Sequence, residues 1–585
     1  MIKSIYISIN KIKGGRKMKY QLKSEINGRG LLETIYANRN LDEQTVNELL
    51  NANKESLNDP FEIFNMDKAV EMFKTVYRKD MVIGLIPDVD VDGMTSSSIL
   101  YQFLTRDLEH PMENIVVFFQ EGKQHGLSSD ILPRIKESNE VDLYLIADSS
   151  SNDKEQLKEL SQMGKIVILL DHHQVVDYEE IENVVIVNNQ LGDLNNKGLC
   201  GAGVVAKFIE AMGYNVDKYL DLVAVGLVAD SMDMVDMQNR AYVNLGLSNI
   251  KNPLLKAFFK KYKNVIIENV GWNCANFINS VIRYGTYEQK VLLWDAIVGK
   301  KETVEYVKKD GTVIEESLQE HFIRVSDKVK SKQNRDVKNS MGKVEKWIHK
   351  YNYENDKVII VINDGLVDKT LGGLVAQKLC SKYTRPILIL APFEDELSGS
   401  ARSPLDLRDI LNESELVTFA NGHARAFGVS VPKDNIEELR KYLNNYFANC
   451  DFVDGQVEEV DYIFNAKDLK LDDVKEVGDL RGLWGKECEV PKLVVKKLTI
   501  ESSKIQYKKD GICYVATFTH NGITYKKEFC SRVVYEEMQR LDLLKFGKSH
   551  TLDITLLVEF KKDDKGFYYV AIKDFNSVKS SKLVF

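Results

Sequence analysis

The sequence predicts an α/β protein in which two α/β domains are joined by a long helix and followed by a small C-terminal β-barrel. Three observations lead there. From Met81 onward, short apolar runs alternate with amphipathic stretches, the signature of a doubly wound sheet. Around residues 315 to 350 the apolar positions Leu318, Phe322, Val325, Val329, Val337, Met341, Val344 and Ile348 recur at helical spacing. After Pro491 the pattern turns to strand-like alternation, as in Ile512 to Thr519 and Ile523 to Phe529.

A chain of 585 residues exceeds one ordinary domain and calls for roughly three or four cores. Its 44% apolar and 28% charged residues are those of a globular protein, and no apolar run reaches bilayer length, so no membrane role is expected. Residues 1 to 18 lack a signal-peptide core, which points to the cytoplasm. The run Lys13-Gly14-Gly15-Arg16-Lys17 before Met18 resembles a translated ribosome-binding site, which leaves both Met1 and Met18 as candidate starts. Seven cysteines without a CxxC pair indicate neither a disulfide framework nor a structural zinc site.

Five segments are expected. Residues 1–80 form an N-terminal helical extension, with Asn40 and Asp42 as caps. Residues 81–310 form the first α/β domain, 311–352 the connector helix and 353–450 the second α/β domain. In the latter, Val358 to Ile362 and Pro386 to Leu390 are strands flanking a helix at Leu374 to Tyr383. Residues 451–585 form a linker and the β-rich module. Charge divides unevenly between them. From Val490 to Phe585 there are 18 Lys and Arg against 11 Asp and Glu, a surplus of 7, which leaves −15 on the rest of a chain whose net charge is −8. A basic module on an acidic body suits a grip on nucleic acid.

Four apolar runs build the first sheet: Met81 to Pro87, Ile115 to Phe119, Leu143 to Ala147 and Ile166 to Leu170. Three of them end on acids: Asp88 after the first, Asp148 after the third, and Asp171 with His172 and His173 after the fourth. Open parallel sheets bind ligands beyond the carboxyl ends of their strands, so these groups converge on one rim. In Asp88-Val89-Asp90-Val91-Asp92-Gly93, three carboxylates at alternate positions repel one another and raise each other's pKa unless cations intervene. An EF-hand loop starts similarly, but its twelfth position here is Ile99, where a glutamate is required. Oxygen ligands suit manganese or magnesium, and imidazole shifts the balance toward manganese. Asp148 and Asp230, the latter ending the apolar run Leu220 to Ala229, also read as helix caps, and the histidines as surface residues of a loop. Together, though, the four groups supply donors for two cations bridged by one aspartate, the arrangement used in phosphoester hydrolysis.

The order and spacing of DVDVDG, Asp148, DHH and Asp230 resemble motifs I to IV of the DHH phosphoesterase superfamily. That resemblance implies two Mn2+ ions, with Mg2+ as the alternative. It makes Asp90, Asp92, Asp148, His172 and Asp230 their ligands, with Asp148 bridging and also catalytic and Asp88 a sixth ligand or an acid supporting the others, and it turns His173 toward the scissile phosphate or the attacking water.

In the second domain, Gly372-Gly373-Leu374-Val375-Ala376, Gly399-Ser400-Ala401-Arg402-Ser403 and Asn421-Gly422-His423 resemble the DHHA1 substrate-binding domain, with Asn421 in place of its usual glycine. Ser400, Arg402, Ser403, Gly422 and His423 are thereby expected to hold substrate. Ile278-Asn279-Ser280-Val281-Ile282-Arg283 is similar to the INAxGR element of RecJ proteins, with Ile282 for its glycine, and adds Arg283 to that set. Gln238-Asn239-Arg240 resembles their ENR element. The resemblance to RecJ implies that the C-terminal module is an OB-like fold binding single strands. In it Tyr507, Tyr514, Phe518, Tyr525 and Phe529 serve either as stacking rings or as barrel core. The implied activity is metal-dependent 5′ to 3′ hydrolysis of single-stranded DNA to mononucleotides in repair, recombination or replication, with a single-strand-binding protein or a helicase as partner. The rivals are an enzyme acting on short oligoribonucleotides and a catalytically silent nucleic-acid-binding relative.

Overall fold

The computed structural model describes residues 18–579 apart from 121–123, 139, 193–196, 309, 451, 453–456, 502–503, 511–512 and 530–550. The segment 13–17 before Met18 lies outside the described residues.

The first sheet is parallel throughout, with strands in the spatial order Ile115–Val117, Ile83–Pro87, Leu143–Ala147, Ile166–Asp171 and Val184–Asn188. Every residue of Ile83–Pro87, Leu143–Ala147 and Val184–Asn188 is buried, because helices cover both faces of the sheet. Val184–Asn188 is a fifth strand beyond the four apolar runs read from the sequence. The order reverses between Ile83–Pro87 and Leu143–Ala147, so the chain leaves these neighbours in opposite directions and opens a crevice past their carboxyl ends. Asp88 and Asp148 follow those two strands directly.

One helix, Leu318–Lys350, spans 33 residues, about 50 Å at the α-helical rise. Phe322 and Val329 near its start belong to the core of the first sheet. Val337, Val344 and Ile348 near its end belong to the core beneath the second. The second sheet has the order Phe419–His423, Ala426–Pro432, Glu396–Arg402, Ile387–Phe393 and Ile359–Ile362, with only the last pair parallel. Among the described residues, the C-terminal sheet has seven strands, running from Tyr462–Asn465 at one edge to Gln506–Asp510 at the other and mostly antiparallel.

Residues 19–80, read as a helical extension, also contribute a strand and divide between two cores. Lys19–Leu22 pairs in parallel with Val457–Val460. Ile35, Val46 and Leu49 pack with Leu493, Val495 and Val558 of the C-terminal sheet, whereas Met66, Val70 and Phe73 pack against the first sheet. A buried ion pair ties the first of these groups down. Arg39 Nη1 donates to Asp461 Oδ1 at 2.8 Å and to the Ile35 carbonyl at 2.7 Å, and its Nη2 reaches the Glu489 carbonyl at 2.7 Å. Asp461 also accepts from Asn38 Nδ2 and Lys492 N, both at 3.0 Å.

Removing one partner of such a pair strands the other charge in low dielectric. Asp461→Ala should therefore lower the stability of this unit by about 3–5 kcal/mol in urea unfolding, and the double change Arg39→Met with Asp461→Leu should cost less. Equal losses would show that the penalty is not an unpaired charge.

Candidate metal centre

Each acid at the rim is held by a different local device. Asp90 caps the helix Val91–Gln102, its Oδ1 accepting from Gly93 N at 3.1 Å. Asp92, in the first turn of that helix, accepts from Gly201 N at 2.6 Å and Ala202 N at 3.1 Å, the leading amides of Gly201–Ala211. A helix N-terminus thus offsets part of its charge. Two glycines permit this packing. A Cβ at Gly201 would lie 2.7 Å from Asp148 Oδ1, and one at Gly226 would lie 2.3 Å from Asp92 Oδ1. Asp148 sits at φ 65°, a left-handed conformation that costs a non-glycine residue about 1–3 kcal/mol.

These elements bring all six predicted ligands together. Asp88, Asp90 and Asp148 form one group, Asp92, His172 and Asp230 a second, and Asp148, His172 and His173 a third, with the donor atoms of each group within 4.8 Å of one another. Asp148 and His172 are each shared by two groups. His172 Nε2 lies 3.1 Å from Asp148 Oδ1, 3.5 Å from Asp230 Oδ2 and 3.8 Å from Asp92 Oδ2. The 3.1 Å approach lacks hydrogen-bond geometry, and among the described residues neither Asp148 Oδ1 nor His172 Nε2, both buried polar atoms, has a hydrogen-bond partner. Leaving such atoms unsatisfied costs several kcal/mol, roughly 1–3 for each neutral group and more for a charged one. Oxygen and imidazole donors fit Mn2+ or Mg2+, and a bound cation would give both orphaned atoms a partner.

The electrostatics carry the same signature. Burial first, then the charges of Asp92, Asp90 and Asp88, push the Asp148 carboxyl well above the usual range. Burial, then Asp92 and Asp90, push Asp230 up to about 8. Burial depresses His172, keeping its imidazole neutral and available as a donor. Asp171 plays a different part. Its Oδ1 accepts from His172 N at 2.7 Å and His173 Nδ1 at 2.8 Å, and its Oδ2 accepts from Ser151 N at 3.2 Å. Burial alone would raise Asp171, but the hydrogen bond and the charge of His173 hold it below the ordinary range. Its hydrogen bond in turn lifts His173 to about 9.

Sequence reading missed His125, whose Nδ1 lies 2.7 Å from Asp88 Oδ2. The loop bearing it is fixed by Gly126 N on Asp88 Oδ1 at 3.3 Å, and by Lys290 Nζ, which donates to the Gln120 carbonyl at 2.8 Å. A lone histidine between strands carries no periodic signal, and only the neighbouring Gly126 hints at a tight approach.

Of the expected substrate residues, Arg283 reaches the rim, with Nη2 3.8 Å from Asp90 Oδ2 and Nε donating to the Val89 carbonyl at 3.4 Å. Burial first depresses the pKa of Arg402, and the charge of Arg283 from the first domain acts in the same direction. Arg402 and His423 both lie opposite Ala426, and Ser400 and Asn421 both lie opposite Gly428. These four share one face of the second sheet. Ser403 and Gly422 do not join them as side-chain donors. Ser403 Oγ accepts from Leu405 N at 3.2 Å in a turn, and the Gly422 carbonyl accepts from Arg408 Nη1 at 2.7 Å.

Comparison with known proteins agrees with this geometry. Residues 82–227 match the DHH family, N-terminal domain, and residues 355–449 match the DHHA1 domain. A putative SPbeta prophage-derived single-strand DNA-specific exonuclease of Bacillus subtilis, YorK, is 31% identical over 516 residues, covering 84% of this chain and 87% of that one. The single-stranded-DNA-specific exonuclease RecJ of the same organism is 25% identical over 464 residues, covering 76% and 55%. Crystal structures of RecJ from Thermus thermophilus with Mn2+ and with Mg2+ superpose with TM-scores of 0.65 and 0.61 at 18% and 17% identity, each covering 94% of this chain and 76% and 74% of those. A parallel sheet with acids and imidazoles at its switch point, tied by a long helix to a glycine-rich second α/β domain, is the DHH–DHHA1 class of phosphoesterase. Within that class the chain belongs to the RecJ-like family, as a divergent member.

In chelator, the folded state binds more protons than the unfolded chain wherever Asp230 (about 8, against 3.8) and His173 (about 9, against 6.5) are raised. Stability of the metal-free protein should therefore fall as pH rises from about 6.5 to 9. Asp148→Asn should raise the metal-free Tm at pH 8 and abolish the stabilisation that Mn2+ gives the wild type. Calorimetry with and without chelator reads both, and a stability in chelator that rises over this window would count against the clustered acids.

Proposed function

We propose that the chain is a metal-dependent exonuclease that removes mononucleotides from single-stranded DNA in the 5′ to 3′ direction. The observation that carries this reading is the pair of orphaned, buried donors, Asp148 Oδ1 and His172 Nε2, at the centre of three donor groups. In this reading Asp90, Asp92, Asp148, His172 and Asp230 would hold two cations, and Asp88 is a further acid locked by His125. Two bound cations would supply the charge that lowers the pKa of an attacking water and stabilises the pentacovalent phosphate. His173, steadied through Nδ1 by Asp171, directs its other nitrogen to a phosphate oxygen. Arg283 from the first domain and Arg402 from the second hold the terminal phosphate, with Ser400 and His423 on the same sheet face as Arg402 and the backbone at Ser403 and Gly422 shaping the turn. The names of the B. subtilis relatives support the same substrate. Among the described residues no helix is long and apolar enough to cross a membrane. A cytoplasmic setting, with a single-strand-binding protein or helicase alongside, completes the proposal.

Strands labelled at either end, incubated with Mn2+, test it. Label should appear as mononucleotide at once from the 5′ end and late from the 3′ end. Asp148→Ala and His172→Ala should each lose about a thousandfold in rate while retaining most affinity for single strands. Arg402→Ala should raise KM about tenfold, more for strands bearing a 5′ phosphate than for those without one. Rapid cleavage of short oligoribonucleotides with long DNA untouched would replace this reading with its first rival, and binding without release would replace it with the second.

A further inference from the structure

We propose that the exposed ring of Trp272 is a base-stacking platform that carries the single strand between the C-terminal domain and the metal centre, an inference that rests on the nuclease reading. Trp272 is 69% exposed, whereas Trp294 and Trp484 are buried and Trp347 packs against Tyr351 and Tyr353. Exposure alone means little, since apolar surface is common on folded proteins. Its location is what gives it meaning. Trp272 lies in Gly271–Ala275, which continues directly into the helix Asn276–Tyr284, and near the end of that helix is Arg283, facing Asp90. At helical rise the two residues stand about 16 Å apart, a distance that a few extended nucleotides bridge.

The other flank is equally defined. Glu268, one turn before Trp272, accepts from Lys561 Nζ at 3.1 and 3.2 Å. Lys561 lies directly opposite Tyr569 in the antiparallel pair, so their side chains share a face. Tyr569 lines a cavity of about 750 Å³ with Phe567, Lys508, Lys526, Lys565 and Asp563. Phe567 and Tyr569 stack nearly parallel, with centroids 6.5 Å apart and planes at 13°, and Lys526 Nζ stands 5.4 Å from the Tyr569 ring. Aromatic faces interleaved with lysines are what a sequence-tolerant grip on single strands requires. Trp272 therefore lies at the junction between a basic aromatic groove and the arginine beside the metal ligands. Duplex bases, paired and stacked on one another, present no free face to it, so the platform favours unpaired strands.

The test uses the full chain. In chelator, a long oligothymidylate should quench the tryptophan emission of the wild type, and Trp272→Phe should lose that quenching while binding within about threefold of wild type. With Mn2+, Trp272→Ala should raise KM about tenfold on long strands with kcat little changed, the penalty growing with strand length until the strand spans the helix, and Trp272→Phe should restore most of it. Quenching that persists in Trp272→Phe, or a Trp272→Ala enzyme with unchanged KM on long strands, overturns the platform. Absence of nucleotide release by the wild type overturns the nuclease reading instead, and the quenching experiment, which needs no turnover, still decides the role of Trp272.

Discussion

Mutual repulsion among buried carboxylates governs this protein. Asp88, Asp92 and Asp148 are almost wholly withdrawn from solvent, with Asp90 and Asp230 beside them, and no arrangement of hydrogen bonds among the described residues neutralises them all. The fold relieves what it can with backbone dipoles and histidines: the amides of Gly201 and Ala202 on Asp92, His125 on Asp88, and His173 on Asp171. What remains is centred on Asp148 and His172, where no donor is offered. A site that is unfavourable without cations is one that binds them tightly, because binding removes a penalty already present in the folded chain.

The division of roles among the acids follows from their environment. Asp171 is fully buried, yet it is held ionised by the imidazoles and amides around it, so it acts as a fixed anchor for the histidine pair. Asp148, equally buried, receives no such help and sits in a left-handed backbone conformation that only a surrounding packed structure can maintain. Gly201 and Gly226 matter for the same reason: a methyl group at either would push the carboxylates apart.

Much of this was legible in the sequence, since strand-length apolar runs ending on acids are a local pattern and the switch point of a parallel sheet is where such ends meet. The long helix was legible from its periodicity. The contribution of His125 was not, because its meaning depends on a loop brought to Asp88 by contacts far along the chain. Nor was the pairing of Lys19–Leu22 with Val457–Val460, a parallel contact between segments separated by most of the sequence, to which local alternation is blind. Among the C-terminal rings singled out from the sequence, Phe518 and Tyr525 are core, stacked at 4.9 Å and buried, while the side chains of Tyr507, Tyr514 and Phe529 lie outside the described residues. Composition finds aromatics but cannot say which way a strand faces without its register.

The helix Leu318–Lys350 has a geometric consequence of its own. Because its two ends are embedded in separate cores, it fixes both the spacing and the azimuth of one half of the molecule relative to the other. Each residue advances an α-helix by about 1.5 Å and turns it by about 100°. Inserting a single residue in its middle would hardly lengthen the molecule, but it would swing Arg402 far around the axis from Arg283. The number of residues in this rod therefore sets the relative orientation of the two halves, whereas side chains on its solvent side do not.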